Sequence, residues 1–147
     1  MSSKAPLLIV EDNPDDFEVF VAALTKDADV ANPIVRCSTG DEALDYLRGT
    51  GRYAAHPRRS PGLVFLDLNL PGTSGREVLT SIKTSDNLKR VPVIVMTSSN
   101  DPEDIDACYR DGANSYLVKP VDLNGFFDTI SRLRDYWLKI VVLPEAS

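Results

Sequence analysis

The 147-residue sequence contains one histidine and two cysteines. Cys37 and Cys108 are too few for a disulfide framework, which points to a reducing cytoplasm. Both stand in apolar patterns and read as core residues. His56 has no cysteine or second histidine near it, so a zinc site is not expected. Positive charge is scarce as well. The formal net charge is −6, whereas non-specific nucleic-acid binding needs a clustered basic surface. The one basic cluster, Arg52 with Arg58 and Arg59, lies in a Pro-containing loop and reads as a solvated connection. No apolar run approaches the ~20 residues of a membrane span, and the start MSSKAPLLIVEDN lacks a signal-peptide pattern. The expectation is a cytoplasmic protein that binds neither nucleic acid nor membrane.

What is present is the profile of one globular domain, with 43% hydrophobic and 26% charged residues. Short apolar runs alternate with helical patterns. Residues 6–10, 33–37, 63–66, 91–96 and 115–118 read as strands. Asn13-Pro14 and Asp101-Pro102 pair an N-cap with proline at the first helical position. Thr39 to Glu42 has capping-box spacing. Phe17, Phe20, Val21 and Leu24 mark one helix face, Ala43, Leu44 and Leu47 a second, and Val78, Leu79 and Ile82 a third. Ile105, Cys108 and Tyr109 are expected to face inward on a fourth, which Gly112 ends. Leu123, Phe126, Phe127, Ile130, Leu133 and Trp137 line the last helix, expected over 122–138. Uniformly apolar strands separated by helices predict an α/β fold, a doubly wound parallel sheet covered on both faces.

Right-handed crossovers bring the carboxyl ends of parallel strands to one edge, where ligands bind. Glu11 and Asp12 follow the first strand, Asp67 the third, Thr97 and Ser98 the fourth, and Lys119-Pro120 the fifth. A single aspartate after a strand is usually a turn or cap residue. Carboxylates gathered at one edge repel one another unless a cation is bound, and oxygen ligands without His or Cys favour magnesium. A lysine and a hydroxyl beside them could cradle an anion. Asp67 is therefore expected to be an exposed, metal-paired nucleophile that accepts a phosphoryl group.

These residues in this order (VEDN, LDLNLPGTSG, VIVMTSS, GANSYLVKPV) resemble the receiver domain of two-component response regulators over residues 5–139. The loop RYAAHPRRSPGL, the run DLNLPGTSGREVL and the ending YWLKIVVLP look like the small single-domain regulators paired with bacterial phytochromes. The resemblance implies a five-stranded, flavodoxin-like (βα)5 fold and a set of roles. Asp67 would be the phosphoacceptor. Asp12 would bind Mg2+ directly, Glu11 would act through a water, and the backbone carbonyl of Asn69 would complete the ligands. Glu11 departs from the family, where many receivers carry a second Asp. Lys119 would contact the phosphoryl oxygen, and Lys119-Pro120 would be a cis peptide. Thr97 would hydrogen-bond the phosphoryl group, and Tyr116 would turn inward when it does. Asn69 and Ser99 would border the path of attacking water and tune dephosphorylation.

The same resemblance implies a sensor histidine kinase as partner, phytochrome-like by its closest pattern, with a downstream phosphotransfer protein or other protein contacts as output. The protein would not be an enzyme in the turnover sense, carrying out only transfer to itself and slow loss of that phosphate. Only about eight residues follow Lys139, too few for a DNA-binding output domain. A haloacid dehalogenase-type phosphatase also uses a strand-end aspartate, but needs a second Asp where Asn69 stands. A pure interaction domain would have no use for the intact acidic set. A flavodoxin would carry a Ser/Thr-rich phosphate loop after the first strand, and none is present. Residues 140–147 form a tail in which Ile140–Leu143, β-branched and ended by Pro144, reads as a short strand. That strand could reach across to a second copy and make a homodimer, as related regulators suggest, or fold back onto its own domain.

Overall fold

Leu7 and Ile9 point to one face of strand β1 (Leu7–Val10), Leu8 and Val10 to the other, and all four are buried. A strand with two buried faces needs a layer on each, and the computed structural model supplies them. It describes residues 4–26, 30–55 and 60–144. Strands β2 (Ile34–Cys37), β3 (Leu63–Leu66), β4 (Val93–Thr97) and β5 (Ser115–Val118) join β1 in one sheet ordered β2-β1-β3-β4-β5. Every pairing is parallel. The expected doubly wound five-stranded sheet is thus the observed one.

Helices α1 (Pro14–Thr25) and α5 (Leu123–Arg134) cover one face. There Phe20, Ala23, Leu24, Phe126 and Ile130 pack on Leu7, Ile9, Leu63, Phe65, Ile94 and Met96. Helices α2 (Gly40–Arg48), α3 (Gly75–Lys83) and α4 (Pro102–Arg110) belong to the other. Ala43, Leu47, Val78, Leu79, Ile82 and Cys108 meet Leu8, Val10, Val64, Leu66, Val93 and Val95 on that side. Cys37 and Cys108 are both free and buried, as expected of core residues. Each α-helix starts on a side-chain cap: Asn13, Thr39, Ser74, Asp101 and Asp122 accept backbone N–H bonds. Among the described residues no helix is long and apolar enough to cross a membrane.

Three expectations about local structure need correction. Tyr109 does not face inward; it is half exposed, and its hydroxyl accepts the Tyr116 N–H at 3.1 Å. The last helix ends its regular part at Arg134 and continues as a π-helical turn, Asp135–Ile140. The tail 140–143 is not a strand: Ile140 belongs to that turn, and Val141 N–H bonds back to the Tyr136 carbonyl at 2.8 Å. A strand needs a partner for its backbone groups, whereas this segment gains more by burying side chains. Trp137, Leu138 and Leu143 pack on the α1/α5 face of the core. The tail therefore folds back onto its own domain, leaving Tyr136, Ile140 and Val142 outward. In the long loop after α2, Gly51–Tyr53 forms a single 3-10 turn; Tyr53 stacks edge-on against Tyr46, and Arg52 pairs with Glu42 at 2.6 Å. His56, Arg58 and Arg59 lie outside the described residues, as do residues 145–147 of the tail.

Candidate functional site

The strand order reverses direction between β1 and β3, so the connections leaving these neighbours diverge and open a crevice at their carboxyl ends. Glu11 and Asp12 follow β1 and Asp67 follows β3, in register across the shared ladder Val10–Leu66. The Asp67 N–H donates to the Val10 carbonyl at 3.1 Å, which locks the two strand ends together. Gly75 holds this corner from below. A Cβ there would lie 2.2 Å from the Asp67 carbonyl oxygen, so only glycine lets α3 start this close. Gly72, at φ 72°, makes the turn that precedes it.

Carboxylate oxygens of Glu11, Asp12 and Asp67 lie within 4.8 Å of one another. Asp12 is exposed at the rim. Glu11 and Asp67, by contrast, are 4% and 6% accessible. The expectation of an exposed Asp67 is therefore wrong. Its carboxylate is tolerated in the fold because it is paired: Lys119 Nζ donates to Oδ2 at 2.9 Å and the Asn69 N–H to Oδ1 at 3.1 Å. Lys119 Nζ also donates to Glu11 Oε1 at 2.7 Å and to Asp16 Oδ2 at 3.0 Å. Burial pushes Glu11 up to about 7, against the pull of Lys119. Burial also works against the Lys119 ammonium, but its hydrogen bonds to Glu11 and Asp67 outweigh that and hold it above the ordinary lysine value.

Thr97 ends β4, fully buried, and its Oγ1 accepts from Asn69 Nδ2 and from Ser99 N–H, both at 3.4 Å. The Lys119 N–H donates to the Thr97 carbonyl at 2.7 Å, tying the fourth and fifth strand ends. Ser99 is a junction. Its hydroxyl donates to Asp104 at 2.6 Å and its carbonyl accepts the Tyr116 hydroxyl at 2.9 Å. Tyr116 is partly buried against the core, its ring already turned toward the β4–α4 loop. The Lys119–Pro120 bond is not cis, since no described peptide bond is. The trans form is favoured by about 0.5–1 kcal/mol unless tertiary contacts select cis. Here the Lys119 backbone and side chain meet their partners in trans.

The structure thus brings together Glu11, Asp12, Asp67, Asn69, Thr97, Ser99 and Lys119, residues from four strand ends. Two neighbours escaped the sequence reading. Asp16 lies in the first turn of α1, where acidic residues are common and draw no notice. Arg36 looked like an ordinary strand residue. Its Nε and Nη2 each donate to the Glu11 carbonyl at 3.3 Å, while its guanidinium lies 4.7 Å from the Phe17 ring centroid. Arg36 thereby clamps the loop that carries Glu11 and Asp12. Period-2 alternation along β2 places Arg36 opposite Val35, on the α1 side, which is the signal that could have found it.

An oxygen-only donor set of three carboxylates fits a hard divalent cation such as Mg2+ or Mn2+ and does not suit zinc. The comparisons with known proteins agree. Response regulator Rcp1 of Synechocystis sp. is 37% identical over 140 residues, covering 95% of this chain and 93% of its own length. Its Mn(2+)-bound crystal structure superposes with a TM-score of 0.90 at 35% identity, covering 97% of this chain and 100% of that one. The phosphorylated cyanobacterial phytochrome response regulator RcpA gives a TM-score of 0.90 at 37% identity, with 97% and 100% covered. The bacteriophytochrome response regulator AtBRR gives 0.74 at 43% identity, with 98% and 100% covered. The model of the response regulator receiver domain matches residues 7–131, and with the acidic crevice at the β1/β3 switch point it shows that the chain belongs to that family.

Proposed function

We propose that the chain accepts a phosphoryl group on Asp67 from a sensor histidine kinase of the phytochrome type, with Mg2+ as cofactor. It would pass the signal on through protein contacts or to a downstream phosphotransfer protein in the cytoplasm. The observation that carries the reading is Lys119 bridging Asp67 and Glu11, with the Glu11–Asp12–Asp67 cluster beside it.

Each residue has a task in that reaction. An Asp67 oxygen attacks phosphorus in line, the bond from phosphorus to the donor's imidazole nitrogen breaks, and the histidine leaves with the bonding pair. Glu11, Asp12, Asp67 and the Asn69 carbonyl would hold the metal, Glu11 through a water. Bound there, Mg2+ would supply the positive charge that lets a carboxylate cluster admit a phosphate. Lys119 donates to a phosphoryl oxygen and keeps its proton throughout. The Thr97 hydroxyl reaches the same group from β4. Its approach would tighten the hydrogen bond that the Tyr116 hydroxyl donates to the Ser99 carbonyl and hold that ring inward. Asn69 and Ser99 both contact Thr97 Oγ1, which supports the reading that they control which water reaches the aspartyl phosphate, whose hydrolysis would be the only self-directed reaction besides transfer.

Tyr136, Ile140 and Val142 give the C-terminal turn an apolar outer surface, and a homodimer through it would bury them symmetrically. The competing surface, Tyr109, Val118, Val121 and Leu123 around α4, β5 and α5, is also exposed. Truncation after Trp137 separates the two. If the tail makes the dimer, the truncated chain is a monomer by light scattering; a truncated dimer points to the α4–β5–α5 face. The kinase reading is tested by mixing a phosphorylated phytochrome-type kinase with the chain. Labelled phosphate should move from kinase histidine to Asp67. A kinase that keeps its label, while acetyl phosphate still labels the chain, would reject the pairing alone.

A further inference from the structure

An ammonium has three N–H bonds to give, and Lys119 gives them to Glu11, Asp67 and Asp16. Two of those acceptors have other partners to meet. Glu11 and Asp67 belong to the cluster whose oxygens can hold a cation, and one Asp67 oxygen must form the bond to phosphorus. Asp16 belongs to neither arrangement. It stands outside the three-residue cluster, near the start of α1, where Asn13 Oδ1 accepts its N–H at 3.1 Å. Its side chain is 28% accessible, so it lies at the mouth of the crevice rather than the floor. An acidic first turn explains a charge at this helix end. It does not explain a carboxylate aimed at the tip of Lys119, on the far side of the crevice and 103 positions along the chain.

We infer that Asp16 is a positioning residue for phosphoryl transfer: it anchors the Lys119 ammonium at the mouth of the site while Glu11 and Asp67 turn to the cation and the phosphoryl group. The inference rests on the reading of Asp67 as acceptor. Without the anchor, Lys119 loses the one acceptor that stays in place through the reaction, and its long stem regains rotamer freedom. With it, two N–H bonds are freed in a fixed direction, toward the oxygen that the phosphoryl group brings to Asp67. Lys119 carries its proton before and after; the only bonds exchanged are those at phosphorus.

The test is a double-mutant cycle with acetyl phosphate as donor, using the wild-type chain, Asp16→Ala, Lys119→Ala and the double variant. A charge-assisted hydrogen bond of ordinary strength predicts that Asp16→Ala slows phosphorylation at saturating donor and magnesium by about tenfold. Asp16→Glu should recover most of the rate. In the Lys119→Ala background, Asp16→Ala should change nothing further, because its only route is through the lysine. An equal loss in both backgrounds, or no loss in either, overturns the anchor. So does a loss that vanishes once magnesium is saturating, since Asp16 would then act merely as a charge that attracts the metal. A second readout needs no phosphate. In the magnesium-loaded chain the Lys119 side-chain ammonium should give a protected proton–nitrogen NMR signal, identified by its disappearance in Lys119→Ala. Asp16→Ala should lose that signal, and its persistence would reject the anchor. If acetyl phosphate fails to label even the wild-type chain, the acceptor reading falls, and the ammonium signal alone still decides whether Asp16 holds Lys119.

Discussion

Replacing Lys119 with methionine keeps the stem that packs in the crevice and removes its charge. The side chains involved are nearly enclosed: 13% accessible for Lys119, 5% for Glu11 and 7% for Asp67. Removing one partner of such a group leaves buried carboxylates without their cation, which costs about 3–5 kcal/mol. For a chain of this length that corresponds to a fall in Tm of roughly 6–20 °C. The cost should depend on pH in a definite direction. Glu11 already titrates near 7 in the fold against 4.5 in the unfolded chain, and Lys119 is among the groups that hold it down. Without Lys119 its folded value rises further. A carboxyl with a raised folded value binds its proton more tightly in the fold, so stability is present below 4.5 and lost as pH climbs through 7. Urea unfolding in chelator should therefore show a smaller gap between variant and wild type at about pH 5 than at about pH 8, because the Glu11 part of the cost is absent at the lower pH while Asp67 has still lost its cation. Saturating magnesium should narrow the gap at the higher pH, because a divalent cation returns the missing charge. A variant that is destabilised equally at both pH values and is indifferent to magnesium would refute the claim that Lys119 neutralises this cluster.

Other outcomes follow from separate parts of the molecule. Gly75→Ala should lose phosphorylation and unfold several degrees lower, since its Cβ would meet the Asp67 carbonyl at 2.2 Å, a backbone contact that cannot yield cheaply. Exchanging Ser99 for a larger amide or acid should change the half-life of phosphorylated chain after donor removal without preventing labelling; unchanged decay at both Ser99 and Asn69 would place water control elsewhere. Burial, helped by the Glu42 charge, pushes the Cys37 thiol from 9.0 up to about 12. Cys37 should thus resist alkylation at mildly alkaline pH in the folded chain, and the stability it carries in its protonated form should fade only as pH rises through that interval, which a denaturation series read against Cys37→Ala would show. Arg36→Ala should weaken magnesium binding, measured by calorimetry, because Glu11 and Asp12 lose the guanidinium that clamps their backbone.

The parallel sheet was legible because β1, β3 and β4 are apolar on both faces, which only a doubly covered sheet requires. The site was legible because its residues stand at strand ends, where topology rather than sequence distance brings them together. Lys119 and Glu11 are 108 positions apart and 2.7 Å apart in space. The misses share a cause: local patterns compete with tertiary contacts that no window reveals. The run IVV at 140–142 has strand propensity, yet Leu143 and Trp137 had a core face waiting for them. Asp67 reads as a solvent-exposed carboxylate until Lys119 is seen on it. Asp16 satisfies a helix-start rule so well that its second partner stays hidden.

The central claim is that Asp67 takes a phosphoryl group. Intact-mass measurement of the chain after incubation with acetyl phosphate and magnesium tests it most directly. One added phosphoryl group is expected, released by hydroxylamine as an acyl phosphate would be, mapped to the peptide containing Asp67, and missing both from Asp67→Asn and from samples held in excess chelator. An unmodified wild-type chain, or a modification that Asp67→Asn leaves intact, would contradict it.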